Sequence, residues 1–293
     1  MNKKSISFNS LGSSGQVGNQ LFQFAALVNL ANKSDLDILL PDPKAVEGKY
    51  FYNYFLVNEG GFQVNFGNSE FKNLNDSNNG FIKFDKKLLN ITENSDLNGY
   101  FQSLKYINLD RSNIRNAFRF KTEYVNASKK ILESLDSKNN YFIHVRRGDY
   151  VNKKDYHYPL SKTYYKRAMK KFENSTNFLV FSDDLDWCKS QRIFKKDNIF
   201  FIDKQVKKDS SGLDLDIVEL CLMSMCSGGI IANSSYSWWG AWLQNETGNI
   251  VMPDKEHWFG RKYIFNAEEL IEKHWTTVKD SYFHNLKYKI FGI

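Results

Sequence analysis

Short apolar segments alternate with helical ones through the second half of the sequence, and this order restricts the fold more than any other feature. Each predicted strand except the last is followed by a predicted helix and then by another strand. Such alternation is typical of an α/β domain, in which helices cover a mainly parallel sheet. The predicted strands are Tyr141–Val145, Phe178–Phe181, Ile199–Ile202, Gly229–Ala232 and Ile250–Met252, and the predicted helices are Lys162–Phe172, Leu185–Ile193, Leu213–Met225 and Tyr236–Leu243.

The first half begins with a strand, a loop and a helix in the same order. Its predicted elements are a strand at Ile6–Phe8, a glycine-rich loop at Gly12–Asn19, a helix at Gln20–Asn32, a strand at Leu36–Leu40 and a helical stretch at Lys129–Leu135. Residues 44–98 show no pattern that predicts a regular element. A chain of 293 residues is long enough for two domains, and the polar segment 137–140 separates apolar stretches. We therefore predict domains at residues 1–137 and 138–293.

Composition excludes several classes of protein. The 40 lysine and arginine residues against 33 acidic ones give a net charge of +7, but no basic block or nucleic-acid motif accompanies it. An anionic small substrate or an acidic membrane surface explains this sign equally well. No apolar run is long enough to span a membrane, and Lys3 and Lys4 are followed by a polar segment where a signal peptide is apolar. We expect a cytoplasmic protein that does not bind nucleic acid.

Two adjacent arginines, Arg146 and Arg147, follow the strand Tyr141–Val145 directly, and Asp149 comes soon after. An unpaired charge is costly to bury, so this cluster needs a partner. Planar guanidinium groups bind phosphate or diphosphate with paired hydrogen bonds. The alternative is structural, because either arginine could pair with Asp149 or with another carboxylate. The sequence does not decide between the two.

Polar residues follow two further strands. They are Ser182, Asp183 and Asp184 after one strand, and Asn233, Ser234 and Ser235 after another. Ligands of open parallel sheets bind outside the carboxyl ends of the strands, so these segments and the arginines should surround one crevice. The aspartates suit a base or a ribose, and the asparagine–serine turn before a helix suits an anion. Each segment could instead cap the helix that follows it. Together, the three strand ends predict a site for a nucleoside diphosphate.

A bound metal ion is not expected. The five histidines and three cysteines lack metal-ligand spacing. Asp-x-Asp pairs occur at three places, and two of them lie at predicted helix starts, where acidic residues favour the helix dipole. Trp238, Trp239 and Trp242 suit core packing better than a platform for a sugar. The three aspartate pairs are Asp35/Asp37, Asp184/Asp186 and Asp214/Asp216.

Several motifs resemble those of a known family. The segment Gly15–Ala25 resembles the N-terminal signature of the α-1,2-fucosyltransferases of glycosyltransferase family 11. His144–Tyr150 resembles their His-x-Arg-Arg-x-Asp motif, which α-1,6- and protein O-fucosyltransferases share. Gly99–Ser103, Phe181–Asp184 and Ile231–Trp242 are also similar, and the matches run in the family's order from about residue 12 to residue 260. The chain lacks the membrane anchor of the animal members and so resembles a bacterial one.

The resemblance implies a GT-B fold, in which two Rossmann-like domains face a central cleft. It assigns the acceptor to the N-terminal domain and GDP-fucose to the C-terminal one. The implied reaction moves L-fucose from GDP-β-L-fucose to the 2-hydroxyl of a galactoside with inversion, in O-antigen or surface glycan synthesis. It needs no metal ion and no other cofactor. The alternatives are a GT-B transferase with a different donor or linkage, and a carbohydrate-binding protein without turnover.

Catalytic roles follow for a few residues. We expect Arg147 and Arg146, with the turn Asn233–Ser235, to stabilise the charge of departing GDP. A carboxylate should accept the proton of the acceptor hydroxyl, and Asp149 and Asp155 are both candidates. Asp149 could instead only orient an arginine.

Donor binding is expected to involve both domains. Asn19 should close over the diphosphate, and His144 and Asp183 should hold the guanine or the ribose. The donor-binding candidates are Asn19, Gln20, His144, Arg146, Arg147, Ser182, Asp183, Asp184, Asn233, Ser234 and Ser235.

The expected partners are GDP-fucose and a galactose-terminated oligosaccharide that a lipid carries. The C-terminal segment Tyr282–Phe291 mixes aromatic residues with lysines. It is expected either to touch the inner surface of the membrane or to dock back on the fold as a helix.

Overall fold

The computed structural model describes residues 3–75, 83–135, 139–204, 206, 210, 212–244, 248–263 and 267–291. Two compact units make up the chain, Met1–Lys121 and Thr122–Ile293. Each unit contains its own parallel sheet and its own helices. These two Rossmann-like units confirm the predicted α/β class and GT-B fold.

The first unit is built on a parallel sheet whose five strands are short. Its strands are β1 (Ser5–Ser7), β2 (Asp37–Leu40), β3 (Val64–Phe66), β4 (Lys72–Asn75) and β5 (Ser95–Asn98), its helices are α1 (Val17–Ser34), α2 (Leu104–Ile107) and α3 (Arg111–Ala117), and 3-10 turns lie at Phe51–Asn53, Val57–Gly60 and Lys86–Leu89. The strand order is β3-β2-β1-β5-β4. The order reverses between β1 and β5, so the ends of these two strands border the crevice where such sheets bind ligands.

Helix α1 is buried on nearly every side. Of its 18 residues, 14 are buried, which fits its almost continuous apolar sequence. The helix ends at Asp35, which adopts a left-handed conformation and donates its N–H to the carbonyls of Ala31 and Asn32. The buried Asn29 donates to the carbonyl of Tyr106 at 2.8 Å and so satisfies a carbonyl of α2.

Strands β3, β4 and β5 lie within residues 44–98, where the sequence predicts no element. They are three or four residues long, and β3 is at least partly exposed along its whole length. Apolar and polar residues cannot show a clear alternation over so few positions. Pairing with neighbouring strands therefore decides that these segments are strands: β3 pairs with β2, β5 with β1, and β4 with β5.

The second unit is built on a six-stranded parallel sheet. Its strands are β6 (Asn140–Val145), β7 (Asn177–Ser182), β8 (Ile199–Phe201), β9 (Gly228–Ile230), β10 (Asn249–Pro253) and β11 (Thr276–Val278), its helices are α4 (Thr122–Ser134), α5 (Lys162–Met169), α6 (Leu185–Ser190), α7 (Leu215–Ser224), α8 (Ser235–Trp242) and α9 (Tyr282–Phe291), and 3-10 turns lie at Asp149–Val151, Arg192–Phe194, Lys255–His257 and Glu268–Leu270.

The strands of the second unit lie in the order β11-β10-β9-β6-β7-β8. Strands β6 to β10 confirm the five predicted strands, and β11 adds a short edge strand that the sequence does not reveal. Counted from the first strand of the unit, this order is 6-5-4-1-2-3, the order of a Rossmann fold. It reverses between β6 and β9.

Helix α4 belongs to the second unit, so the boundary lies between Lys121 and Thr122 and not between residues 137 and 138. The helix packs along α7, and the buried Ser128 hydroxyl donates to the Val218 carbonyl at 3.2 Å. Helical spacing within α4 cannot reveal a contact with residues so far along the chain. Residues 137 and 138 themselves lie outside the described residues.

The tryptophans of α8 lie in the core of the second unit, as predicted. Trp238, Trp239 and Trp242 are at most 2% exposed. The indole N–H of Trp238 donates to the Leu270 carbonyl at 2.8 Å, and that of Trp242 donates to Glu272 Oε1 at 3.0 Å. These contacts hold α8 against the core and so fix the position of the turn before it.

The three cysteines, Cys188, Cys221 and Cys226, are buried and form no disulfide. Burial raises the pKa of Cys188 and of Cys221 to about 11, so both stay protonated thiols at neutral pH. None of the helices that the structure describes combines the length and the apolar character needed to cross a membrane.

Candidate active site

The candidate site lies where the strand order of the second unit reverses. Strands β9, β6 and β7 are neighbours, and the polar segments that follow them meet. Tyr150, after β6, donates its hydroxyl to the carbonyl of Asn233, after β9, at 3.2 Å. Arg147, also after β6, contacts Asp183 and Asp184 after β7. The predicted convergence of three strand ends is therefore confirmed.

Arg147 is held in one orientation. Its Nε donates to Asp184 Oδ2 at 3.0 Å, and its backbone N–H donates to Asp183 Oδ1 at 2.9 Å. The guanidinium carbon lies 4.0 Å from the centroid of the Trp187 ring. Within the described part of the chain, the two terminal amino groups of Arg147 bond to no protein atom. A guanidinium oriented in this way presents paired donors to an anion.

Arg146 is bound by carboxylates on both sides. Its Nη2 lies 2.7 Å from Asp149 Oδ1, and its Nη1 lies 3.0 Å from Asp183 Oδ2. The guanidinium also lies over the Tyr150 ring, 5.2 Å from its centroid. The structural ion pairs foreseen as the alternative are thus present at both arginines. Of these two arginines, Arg147 combines such a pair with terminal amino groups that bond to no described protein atom.

Gly148 allows Asp183 to approach the backbone beside Arg147. A Cβ at Gly148 would lie 2.3 Å from Asp183 Oδ2 and 3.1 Å from Asp183 Cγ. The first distance is shorter than the contacts that a real Cβ atom makes, so Asp183 would have to shift. Glycine is therefore required for the contacts that Asp183 makes with Arg146 and Arg147.

Asp184 makes two contacts with one carboxylate, of which the helix cap was predicted as an alternative to ligand binding. Its Oδ1 caps α6 by accepting the Trp187 N–H at 3.1 Å, while its Oδ2 binds Arg147. Its own N–H donates to Ser182 Oγ at 2.9 Å. Because one carboxylate makes both bonds, the position of Arg147 is tied to the start of α6.

The turn before α8 lacks the side-chain hydrogen bond that usually caps the start of a helix. Ser234 occupies the N-cap position, but its hydroxyl makes no capping hydrogen bond to the helix that Ser235 begins. Asn233 Nδ2 donates to the carbonyls of Tyr158 and Trp258 at 2.8 and 2.9 Å. The buried Oδ1 of Asn233 has no partner among the residues described. The first amides of α8 therefore keep their attraction for an anion.

His144 is buried in β6, next to the arginines in sequence. Only 5% of the residue is exposed, and burial together with the charge of Arg146 lowers its pKa to about 3. The ring is therefore neutral, and its Nδ1 has no hydrogen-bond partner in the described regions. Its burial leaves little surface for a ligand. Contact with guanine or ribose stays a prediction.

The two candidate bases have different surroundings. Burial opposes ionisation of Asp149, but Arg146 and Lys153 outweigh it and lower the pKa of this carboxyl. Asp155 instead forms an ion pair with Arg261 Nε at 2.5 Å. Asp149 thus lies within the arginine cluster, whereas Asp155 is engaged by a different cation.

Tyr150 and His157 form a stack that the sequence does not reveal. Their ring centroids are 3.8 Å apart, and their planes differ by 4°. Burial raises the pKa of Tyr150 to about 12 and lowers that of His157 to about 4, so both rings are neutral at pH 7. The stacked rings form a flat, uncharged surface beside Arg146. Trp187, which contacts Arg147, was not predicted as a site residue either, because it lies outside the motifs.

Two motifs also meet in the first unit, where its strand order reverses. The buried Gln23 amide donates to the carbonyls of Ser14, in the glycine-rich loop, and of Gly99, after β5, at 3.1 and 3.0 Å. Asn19 Oδ1 accepts a hydrogen bond from Gln102 Nε2 at 2.9 Å. Gln23 and Gln102 were not predicted as site residues. The signal that could have indicated them is their position inside the motifs Gly15–Ala25 and Gly99–Ser103.

Gln20 is a structural residue, which corrects its predicted role in donor binding. The residue is 1% exposed. Its Nε2 donates to the carbonyls of Gly15 and Lys49 at 3.2 and 2.8 Å, and its Oε1 accepts the Phe51 N–H at 2.9 Å. Both amide hydrogens are used inside the unit, so Gln20 braces the glycine-rich loop.

No metal site stands out in the described regions, where no group of three His, Cys, Asp or Glu side chains could hold an ion. Asp184 and Asp214 cap α6 and α7, which explains the two later Asp-x-Asp pairs. Asp35 and Asp37 pair with Lys3. Independence from metal ions stays a prediction.

A family model described as glycosyl transferase family 11 matches residues 2–279. An alpha-1,2-colitosyltransferase of Escherichia coli is 32% identical over 191 residues, which are 62% of this chain and 61% of that protein. The O-antigen biosynthesis glycosyltransferase WbnK of Escherichia coli is 30% identical over 172 residues, 55% of this chain and 54% of that protein. Each match spans less than two thirds of the relative's length.

Solved fucosyltransferases share the fold. NodZ alpha-1,6-fucosyltransferase co-crystallised with GDP has a TM-score of 0.54 at 11% identity, over 87% of this chain and 96% of that chain. NodZ from Bradyrhizobium has a TM-score of 0.54 at 10% identity, over 88% of this chain and 97% of that chain. A variant of FUT1 from Arabidopsis thaliana in complex with GDP has a TM-score of 0.51 at 10% identity, over 86% of this chain and 70% of that chain. At such identities the likeness concerns the fold alone.

Proposed function

This chain belongs to glycosyl transferase family 11, and from that membership we propose that it is an inverting α-1,2-fucosyltransferase. The proposed donor is GDP-β-L-fucose, bound by the second unit. The proposed acceptor is the 2-hydroxyl of a terminal galactose on a lipid-carried oligosaccharide, bound by the first unit. The process would be synthesis of O-antigen or of another surface glycan, which the name of the WbnK relative supports.

The orientation of Arg147 is the observation that supports this proposal most. Its terminal amino groups are free in the described structure, while Asp184 and Trp187 hold the guanidinium in place. Donors that are already oriented stabilise a leaving diphosphate without reorganising during the reaction. The uncapped start of α8, at the same reversal of strand order, adds amide donors for the anion.

In the proposed step, the acceptor oxygen forms a bond to the anomeric carbon of fucose. The bond from that carbon to the β-phosphate oxygen breaks, and its electron pair leaves with GDP. Arg147 and the α8 amides would stabilise the added negative charge. The proton of the acceptor hydroxyl passes to a base, and the single displacement inverts the anomeric carbon.

We assign Asp149 to orienting Arg146, because the lowered pKa of Asp149 makes it a weak base. Asp155 remains the candidate base, and its ion pair with Arg261 would have to open to receive the proton. Replacing each aspartate with asparagine and measuring kcat against pH separates the two roles. A general base acts only when it is deprotonated, so its titration produces the fall of kcat at acidic pH. Loss of this acidic limb in Asp155→Asn alone would support this assignment, and its loss in Asp149→Asn alone would reverse it.

A second donor is favoured by the colitosyltransferase relative. Colitose is the 3-deoxy counterpart of L-fucose, so the two donors differ by one hydroxyl group. A site that bonds this hydroxyl rejects the deoxy sugar by about 10⁴–10⁵-fold, whereas a site without that bond accepts both. We rank fucose first because the motifs of the chain, such as His144–Tyr150, resemble those of fucosyltransferases.

The decisive experiment supplies GDP-fucose or GDP-colitose with a panel of galactosides, and measures GDP release and the linkage of the product. Release with GDP-fucose and an α-1,2 linkage are expected. Arg147→Ala should slow release by on the order of 10²–10³, and Arg192→Ala, at an exposed arginine of the same unit, should not. Release only with GDP-colitose would reassign the donor. Another linkage would change the proposed position of the acceptor hydroxyl. Sugar binding without any release of GDP would show that the chain is a carbohydrate-binding protein without turnover.

A further inference from the structure

The last helix, α9, presents large apolar side chains to solvent. Ten large apolar side chains are exposed in the described structure, and five of them lie on this ten-residue helix. The two most exposed are Phe283 at 75% and Tyr282 at 72%. Single exposed apolar residues are ordinary, but such a concentration marks an interaction surface. The five residues are Tyr282, Phe283, Leu286, Ile290 and Phe291.

The opposite face of α9 is docked on the second unit. Tyr288 is 3% exposed and donates its hydroxyl to the Lys154 carbonyl at 2.7 Å. Its ring centroid lies 4.8 Å from that of Tyr158. His284 Nε2 bonds the Pro159 carbonyl at 2.6 Å. The orientation of the helix is therefore set by its polar and aromatic contacts. Its apolar side faces outward because the buried side is already occupied.

The exposed side of α9 has a regular charge pattern. With 3.6 residues per turn, four of its apolar residues fall within a stripe about 100° wide. Lys289 lies about 20° beyond one edge of the stripe, and Lys287 lies about 40° beyond the other. Both lysines are exposed, and the helix contains no acidic residue. The four residues of the apolar stripe are Tyr282, Phe283, Leu286 and Ile290.

We propose that α9 binds the surface of a phospholipid bilayer that contains anionic lipid. The apolar stripe would enter the boundary between headgroups and acyl chains, and the lysines would extend sideways to anionic headgroups. An excess of 40 basic over 33 acidic residues in the chain favours the same surface. The proposal does not rest on the fucosyl transfer reaction.

A second copy of the chain fits this surface less well than lipid does. Pairing two α9 helices stripe to stripe would bring two copies of Lys287 and two of Lys289 together without an acidic residue on either helix. Like charges held close across an interface oppose association. Anionic lipid instead supplies the opposite charge on both sides of the stripe.

The test measures sedimentation of the full chain with phosphatidylcholine vesicles, with and without phosphatidylglycerol. The chain should bind the anionic vesicles, and Phe283→Ser/Ile290→Ser should abolish binding. Each lysine near an anionic surface contributes about fivefold in affinity, so Lys287→Glu/Lys289→Glu should weaken binding about 30-fold or more. Phe66→Ser and Lys195→Glu/Lys196→Glu change exposed residues elsewhere and should bind as the unchanged chain does.

The outcomes are distinct. Circular dichroism and GDP release without vesicles should be the same in all these variants, which shows that folding is intact. Equal sedimentation of the unchanged chain and of Phe283→Ser/Ile290→Ser would overturn the proposal. A dimer that only this variant dissociates, with no vesicle binding, would make the stripe an interface between copies and the lipid proposal wrong. Vesicle binding without any GDP release would refute the proposed reaction and leave this inference standing.

Discussion

Arg147 and Asp184 are joined by a hydrogen bond of 3.0 Å from Nε to Oδ2, and the same carboxylate caps α6. The two side chains are 25% and 35% exposed, so the ion pair contributes at most about 1 kcal/mol to the free energy of unfolding. Its larger effect is to fix the plane of the guanidinium. Mutations at this pair should therefore separate stability from activity.

Arg147→Ala is expected to lower kcat by on the order of 10²–10³, since one oriented donor to a developing negative charge is lost. Arg147→Lys should recover little of this, because lysine keeps the charge but lacks the fork of donors. The melting temperature should fall by less than about 4 °C. The measurements are kcat and a thermal melt, with Arg192→Ala as control. Nearly unchanged kcat in folded Arg147→Ala would overturn its catalytic assignment.

Asp184→Asn should lower kcat without lowering the melting temperature. Asparagine caps a helix as well as aspartate does, but it lacks the charge that holds Arg147. Asp184→Ala should lose both roles and about 1 kcal/mol of stability. Asp214→Asn changes the cap of α7 and should leave kcat unaltered. If Asp184→Asn and Asp214→Asn had equal kcat values, Asp184 would not orient Arg147.

Gly148→Ala should impair both activity and stability. The added Cβ would lie 2.3 Å from Asp183 Oδ2, so Asp183 must move and lose its bonds to Arg146 and Arg147. Overpacking of this kind costs about 1–3 kcal/mol. Gly148→Ala/Asp183→Ala removes the collision and should be more stable than Gly148→Ala alone. Equal or lower stability of the double variant in urea unfolding would contradict this explanation.

Turnover should persist after chelation of divalent cations. The proposed charge stabilisation uses Arg147 and helix amides, which EDTA does not remove. GDP release is measured with EDTA, and again after magnesium or manganese is added in excess. Activity that disappears with EDTA and returns with either metal would show that the arginines are not sufficient.

The stability of the chain should fall as the pH drops from about 6.5 to about 4. Burial lowers the pKa of His157 from its ordinary value to about 4. Between these pH values the unfolded chain binds a proton that the folded chain does not, so the contribution is complete above about 6.5 and declines toward about 4. His157→Phe keeps a ring against Tyr150 without titrating. Its unfolding free energy should therefore depend less steeply on pH over this range.

Urea unfolding at a series of pH values tests this dependence. His274→Gln replaces an exposed histidine and should keep the slope of the unchanged chain. Parallel slopes for His157→Phe and the unchanged chain would show that His157 is not the titrating group.

The strands of the second unit and the meeting of their ends were predictable from the sequence. Apolar runs such as Tyr141–Val145 are bounded by polar residues, and parallel strands must end at the same edge of a sheet. Strands β3 to β5 were not predictable, because they are short and lack alternation. Gln20 was misassigned because its motif does not show whether its amide faces a ligand or the Gly15 and Lys49 carbonyls.

The sequence by itself determined the α/β class, the positions of the motifs and the arginines as the centre of the site, because hydrophobic periodicity and charge are local properties of the chain. Only the tertiary structure decided that Asp184 holds Arg147, that α4 belongs to the second unit and that α9 turns its apolar stripe outward. Each of these depends on residues far apart in sequence. Their proximity is set by the order of strands in the sheet and by which helix face is buried, and neither is encoded in a local pattern.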